Sequence, residues 1–291
     1  MQLDRTRVAV RERGILDLGD LALHVTRNFS PPLVGALAVG ILPMAVLNYW
    51  LLQGLLEEGL PSTFIRYVWN MALLVFIEAP LATAAATVFL GDAMFLEPPT
   101  LRQVLKTLWQ FKWRLFVCQL LLRGVLPAWI LAGTLSRDQP MPGDFLLPLL
   151  VLYLLLVRAV RPYINEIVLL ERNPLRARDP RAITIGRRAS KLHGPAGGEL
   201  FGRFLACIPL SVLLTLSLVM SLWFVQGLFF FDWKWGVAMI HVALPAAMWI
   251  VASFMAVVRY LSYLDLRIRR EGWAVELMLR AEASRLMKQW I

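Results

Sequence analysis

Apolar side chains in this chain are gathered into runs of bilayer-crossing length, and nothing else in the sequence limits the fold as tightly. A membrane-spanning helix needs about 20 mainly apolar residues. Six such runs occur, at about 33–55, 67–90, 114–134, 145–169, 204–230 and 236–262. The fourth turns polar in its second half, "LVRAVRPYINEIVL". Composition agrees: 58% of the residues are hydrophobic and 17% charged, where a soluble domain carries about a quarter charged. The expected fold class is all-α. It is a polytopic integral membrane helical bundle with about six transmembrane helices plus amphipathic interfacial helices.

The formal net charge is +10. On a soluble protein that points to nucleic acid, but no RNA-binding motif is present, and cytoplasmic loops of membrane proteins collect Lys and Arg. With the N-terminus inside, 23 of the 30 Lys and Arg residues lie in cytoplasmic segments. Three (Arg66, Arg137, Lys234) lie outside, and four (Arg123, Arg158, Arg161, Arg259) lie within spans. Both termini are therefore expected in the cytoplasm, with the chain multi-pass in the cell inner membrane. The first 30 residues hold five arginines and no apolar core ahead of a cleavage site, so no cleaved signal peptide is expected. Cys118 and Cys207 both lie in apolar runs and read as packing residues rather than a disulfide.

The chain divides into a cytoplasmic amphipathic arm (1–32), a six-span domain (33–262) and a basic cytoplasmic helix (263–291). In the arm, Ile15, Leu18, Ala22, Val25 and Phe29 form an apolar stripe that ends at "SPP". An interfacial helix is expected near 180–192. Asp179 would cap it, Pro180 would occupy its first turn, and Gly194-Pro195 would stop it. Ala182, Ile185, Ala189 and Leu192 share one face of that helix. Arg181, Arg187, Arg188 and Lys191 are candidates for anionic lipid headgroups on the cytoplasmic side. Packing on the end of the bundle is the competing reading of all three amphipathic segments. In the tail, Asp265 and Arg269 are spaced to pair, and Gly272 would bend the helix.

Ionisable groups inside spans are costly and normally face the bundle interior. Glu78 and Arg123 fall near mid-span on antiparallel neighbours and are expected to pair. Arg158, Arg161 and Asn165 are spaced for one helix face, and Arg259 could reach Glu166. Glu78, Arg123, Arg158, Arg161, Asn165, Glu166 and Arg259 thus outline a polar cavity. The competing reading is a set of buried ion pairs that fix helix register. Every span also carries a proline: Pro43, Pro80, Pro127, Pro148, Pro209 and Pro245. Ordinary kinks are one reading, and the discontinuous helices of transporters another.

No HExxH, nucleophile elbow or Walker loop occurs. Catalytic residues, metal and cofactors are expected to be none. Three segments, "IVLLERNP" (167–174), "AITIGRRAS" (182–190) and "YLDLRIRREGWAVEL" (263–277), recur in an order that resembles uncharacterised bacterial six-helix membrane proteins. Those proteins are related to the membrane domain found fused to glycerophosphodiester phosphodiesterases. The resemblance implies Glu171, Arg188, Ser190, Asp265, Arg267, Arg270, Glu271 and Gly272 as matching positions. It brings no reaction, since no phosphodiesterase domain is expected in these 291 residues. Two functions remain open. One is a non-enzymatic membrane scaffold or envelope accessory protein, expected if the bundle is solid. The other is a transporter or lipid-handling protein, expected if a cavity is present. Anionic membrane lipids are the expected partners, nucleic acid is not, and a homo-oligomer is left open.

Overall fold

The computed structural model describes residues 14–57, 61–95, 98–135, 142–177 and 183–270, which form helices joined by short connections, with no strand among them. In chain order the helices are α1 (Ile15–Asn28), α2 (Ser30–Leu52), α3 (Gly54–Glu57), α4 (Pro61–Ala82), α5 (Ala84–Ala93) and α6 (Leu101–Gln110). They continue with α7 (Lys112–Leu115), α8 (Val125–Leu135), α9 (Pro142–Val160), α10 (Ile164–Leu169), α11 (Ile185–His193), α12 (Gly197–Phe230) and α13 (Leu244–Arg270). Four stretches are long and apolar enough to cross a membrane: 30–52, 64–82, 185–230 and 239–270. A fifth results if 112–121 and 125–134, bent by 52°, are taken together. The 16-residue apolar helix 145–160 falls short of that length.

The most apolar part of the 185–230 stretch has a mean hydropathy of 2.3, yet only 6% of it is buried. Water tolerates bare apolar patches of only a few hundred Å² on soluble proteins. A helix this long, this apolar and this bare has the length and composition of a membrane span.

Three of the expected spans are broken, each for a local reason. The second ends α4 at Ala82 and restarts at Ala84. Pro80 has no N–H to give the Phe76 carbonyl, and Thr83 sits at φ −92°, ψ 8°, outside helical values. The Ala82 carbonyl at this break meets Gly40 of α2, where an added Cβ would lie 1.9 Å from the oxygen. The third span passes from α7 through a π-helical stretch, Phe116–Leu121, to Gly124 at φ +67°. That left-handed conformation is cheap only for glycine. The fourth breaks at Arg161-Pro162-Tyr163, because the residue before proline is driven out of helical geometry.

Two buried clusters divide the bundle lengthwise. One joins the buried faces of α1, α5, α10 and α11 to the C-terminal half of α13; it lies at the arginine-rich end. The other joins the C-terminal half of α2 to α4, α8, α9 and the N-terminal half of α13. The α1 stripe packs into the first cluster, with Leu18, Ala22, Val25 and Phe29 all buried. At the helix start the Gly14 N–H donates to Asp17 Oδ2 at 3.3 Å, the half of a capping box that a glycine N-cap can form.

The helix expected near 180–192 is corrected in two respects. Ile183 and Thr184 are not helical, and Thr184 is the cap, so α11 begins at Ile185. Gly194-Pro195 does not stop it either: one 3₁₀ turn leads into α12, so 185–230 forms one helical stretch. Ile185, Ala189 and Leu192 form its buried face. Arg181, Asp179 and Pro180, and the tail from Glu271 through Gly272 onward, lie outside the described residues. Cys118 and Cys207 are free thiols.

Candidate functional site: a broken-helix cavity

The three breaks lie side by side, and side chains from one complete the backbone of another. Arg158, on α9, donates one guanidinium nitrogen to the Phe76 carbonyl that Pro80 leaves free, and another to the Ile77 carbonyl at 2.7 Å. The same guanidinium lies over the Phe76 ring, 4.0 Å from its centroid. Asn165 of α10 donates to the Pro80 carbonyl and accepts from Gln119 of the π-helical stretch. Arg123, in the third break, donates to the Arg161 carbonyl of the fourth at 2.8 Å. An unpaired backbone carbonyl in hydrocarbon costs several kcal/mol. These side chains are therefore what makes the broken spans tolerable.

Two ionisable groups have other partners. Glu166 accepts from Arg259 Nε at 2.9 Å, and a second Arg259 nitrogen reaches Thr87 Oγ1 at 3.4 Å. Glu78 accepts from Asn48 Nδ2 at 2.7 Å and from the Trp129 indole. The expected Glu78–Arg123 pair is thus replaced. Trp129 and Asn48, neutral donors on α8 and α2, take the carboxylate, while Arg123 turns to a backbone carbonyl. The Arg259–Glu166 pair forms as expected. The single face expected for Arg158, Arg161 and Asn165 does not exist, because the chain breaks between them. Arg161 is exposed and contributes its carbonyl.

Between α4, α9, α12 and α13 lies a cavity of about 700 Å³, within the range of about 300–1,000 Å³ usual for ligand sites. Arg123, Arg158 and Arg259 line it; Glu78, Arg161, Asn165 and Glu166 do not. On α12 the lining runs from Leu200 to Met220, which at 1.5 Å per residue is about 30 Å. Ile208, Val212, Leu216 and Met220 line the cavity yet are also exposed, so it opens sideways along that edge of α12.

At the arginine-rich end, the described parts of the three quoted segments, 167–174, 183–190 and 263–270, meet. Arg188 grips Glu171 with two nitrogens, Tyr263 Oη donates to Glu171 at 2.8 Å, and Arg267 stands 3.7 Å away. Burial pushes the Glu171 carboxyl up, but the Arg188 and Tyr263 hydrogen bonds and the Arg267 charge outweigh it and hold it below the usual glutamate value. Arg203 bridges Glu199 and Asp265, both at 2.8 Å, and Arg269 joins the same two acids. The Asp265–Arg269 pair stands as expected, at 3.1 Å. Arg188, expected to face lipid, is instead committed to Glu171, whereas Arg187 and Lys191 lie on the exposed face.

Asn48, Gln119 and Trp129 were not among the residues singled out from sequence. Asn48 and Gln119 are amides inside apolar runs, which is a readable warning. Trp129 gives none, since an indole is at home in any apolar helix. Among the described residues no cluster of three metal-ligating side chains occurs. No family model, curated protein or solved structure matches the chain.

Proposed function

We propose that this chain is a non-enzymatic integral membrane protein that takes a membrane amphiphile into the cavity beside α12, a lipid-handling role. The observation that carries this reading is the cavity itself, about 700 Å³ and lined by Arg123, Arg158 and Arg259. A scaffold needs only a closed bundle, whereas this one encloses a lined space beside α12. Three adjacent broken helices support the same reading, since irregular backbone at membrane depth is tolerated where it is buried in protein or lines a cavity.

The six-span count belongs to this proposal, with 112–134 and 142–169 each crossing as a bent pair. So do the inner-membrane location and the cytoplasmic placement of both termini, which rest on the charge distribution. A relation to the phosphodiesterase-linked membrane domain is proposed on the quoted segments. The meeting of Glu171, Arg188, Asp265 and Arg267 at one end of the bundle supports it.

The test is native mass spectrometry of the protein released from polymer-encapsulated native membrane. Wild type is expected to carry a bound amphiphile. Ala252→Trp, which fills the cavity from α13, is expected to lose it. Equal adducts in both would remove the cavity from any ligand role.

A further inference from the structure

The cavity is not uniform along its length. Its charged lining groups, Arg123, Arg158, Arg203 and Arg259, belong with Tyr163 and Ser262 to the middle and the arginine-rich end, and elsewhere the polar lining is limited to neutral groups such as Ser211, Thr215 and Trp235. Toward the other end the walls are apolar, with Val68, Val75, Leu155, Leu244 and Met248 among the lining. The cationic half is also short of counter-charge. Arg203 is matched by Glu199 and Asp265, and Arg259 by Glu166. Arg123 and Arg158 are only 2% and 8% exposed, and neither has a carboxylate partner among the described residues. Both spend their hydrogen bonds on backbone carbonyls, and the Nε of each is buried without a partner among the described residues.

Buried guanidinium groups without an anion are expensive, and guanidinium is the side chain best suited to carboxylate and phosphate. We infer that the ligand is an anionic single-chain amphiphile. Its phosphate or carboxylate headgroup sits against Arg123 and Arg158, and its chain runs along α12 away from the arginine-rich end. The inference rests on the lipid-handling reading above and adds the charge and the orientation of the ligand. The opening along Ile208, Val212, Leu216 and Met220 gives such a molecule a path from the bilayer that keeps its chain out of water throughout.

The experiment uses the full chain in nanodiscs of neutral phosphatidylcholine, with empty discs as background. Radiolabelled 1-oleoyl-lysophosphatidate, 1-oleoyl-lysophosphatidylcholine and inorganic phosphate are the probes. Lysophosphatidate is expected to bind saturably. Lysophosphatidylcholine is expected to bind at least about tenfold more weakly, and Arg123→Gln is expected to weaken lysophosphatidate by a similar factor. Inorganic phosphate alone is expected not to bind. Ala252→Trp, which leaves every arginine in place, is expected to abolish binding. Equal binding of the two lysolipids, both lost in Ala252→Trp, would overturn the headgroup assignment and leave the cavity reading standing. Saturable binding of neither would overturn both. Phosphate binding without lysophosphatidate binding would make this a site for a free anion and overturn the amphiphile.

Discussion

Arg158 shows how a charge survives in an apolar setting without an opposite charge. Its two terminal nitrogens close the gap that Pro80 opens in α4, at the Phe76 and Ile77 carbonyls. The proline and the arginine are thus two halves of one device, and their effects on stability should be coupled. Arg158→Met alone strands the buried Phe76 carbonyl and takes one donor from that of Ile77, a loss on the order of 1–3 kcal/mol. In a Pro80→Ala background the residue-80 N–H can serve Phe76, so the same substitution is expected to be milder by at least about 1 kcal/mol. Thermal unfolding of the four proteins in one detergent measures the cycle. Strict additivity would mean that Arg158 is not there to complete the proline break.

At the scale of elements, the ion-pair hub around Glu171 ties α10 and α11 to the C-terminal half of α13. The hub's pH response has a definite sign. The Glu171 carboxyl is held below its ordinary value in the folded protein. Its contribution is therefore complete above the unfolded value, about 4.3, and is lost as pH falls through the lower, folded one. At pH 7, Glu171→Gln is expected to destabilise on the order of 2 kcal/mol. The gap to wild type is expected to close as pH drops below about 4. A gap independent of pH down to acid unfolding would show that the carboxylate charge is not what holds these helices. The amphipathic faces of α1 and α11 were legible in the sequence because a buried stripe needs only a period of 3.6 residues. The start of α11 was not, because Thr184 and Asp179 are both acceptable caps and only the tertiary setting selects between them. The bend at 122–124 was likewise hidden, since a π-helical stretch carries no compositional mark, whereas the bend at 161–163 was marked in the sequence by Pro162. Once the breaks are known, the fate of the charges follows. Glu78 and Arg123 share a depth, but Arg123 sits in a bend that turns it toward the Arg161 carbonyl, and neutral donors claim Glu78.

For the whole molecule, the long apolar helices were plain from composition. The cavity was not, because its walls are apolar residues that in sequence look like any lipid-facing stripe. The orientation that follows from the charge distribution can be checked in a background carrying Cys118→Ala and Cys207→Ala. Ser190→Cys and Lys234→Cys, both at exposed positions, are then labelled with an impermeant maleimide on intact cells. Position 234 is expected to react from outside and position 190 only after lysis; the reverse would invert the topology. The most direct test of the account is a cryo-EM map of the protein in a lipid nanodisc. It is expected to show α12 packed on α9 and α13 but standing off from α4, with an elongated non-protein density between α12 and α4 that ends against Arg123 and Arg158. A map with α12 packed directly onto α4, leaving no such space, would contradict it.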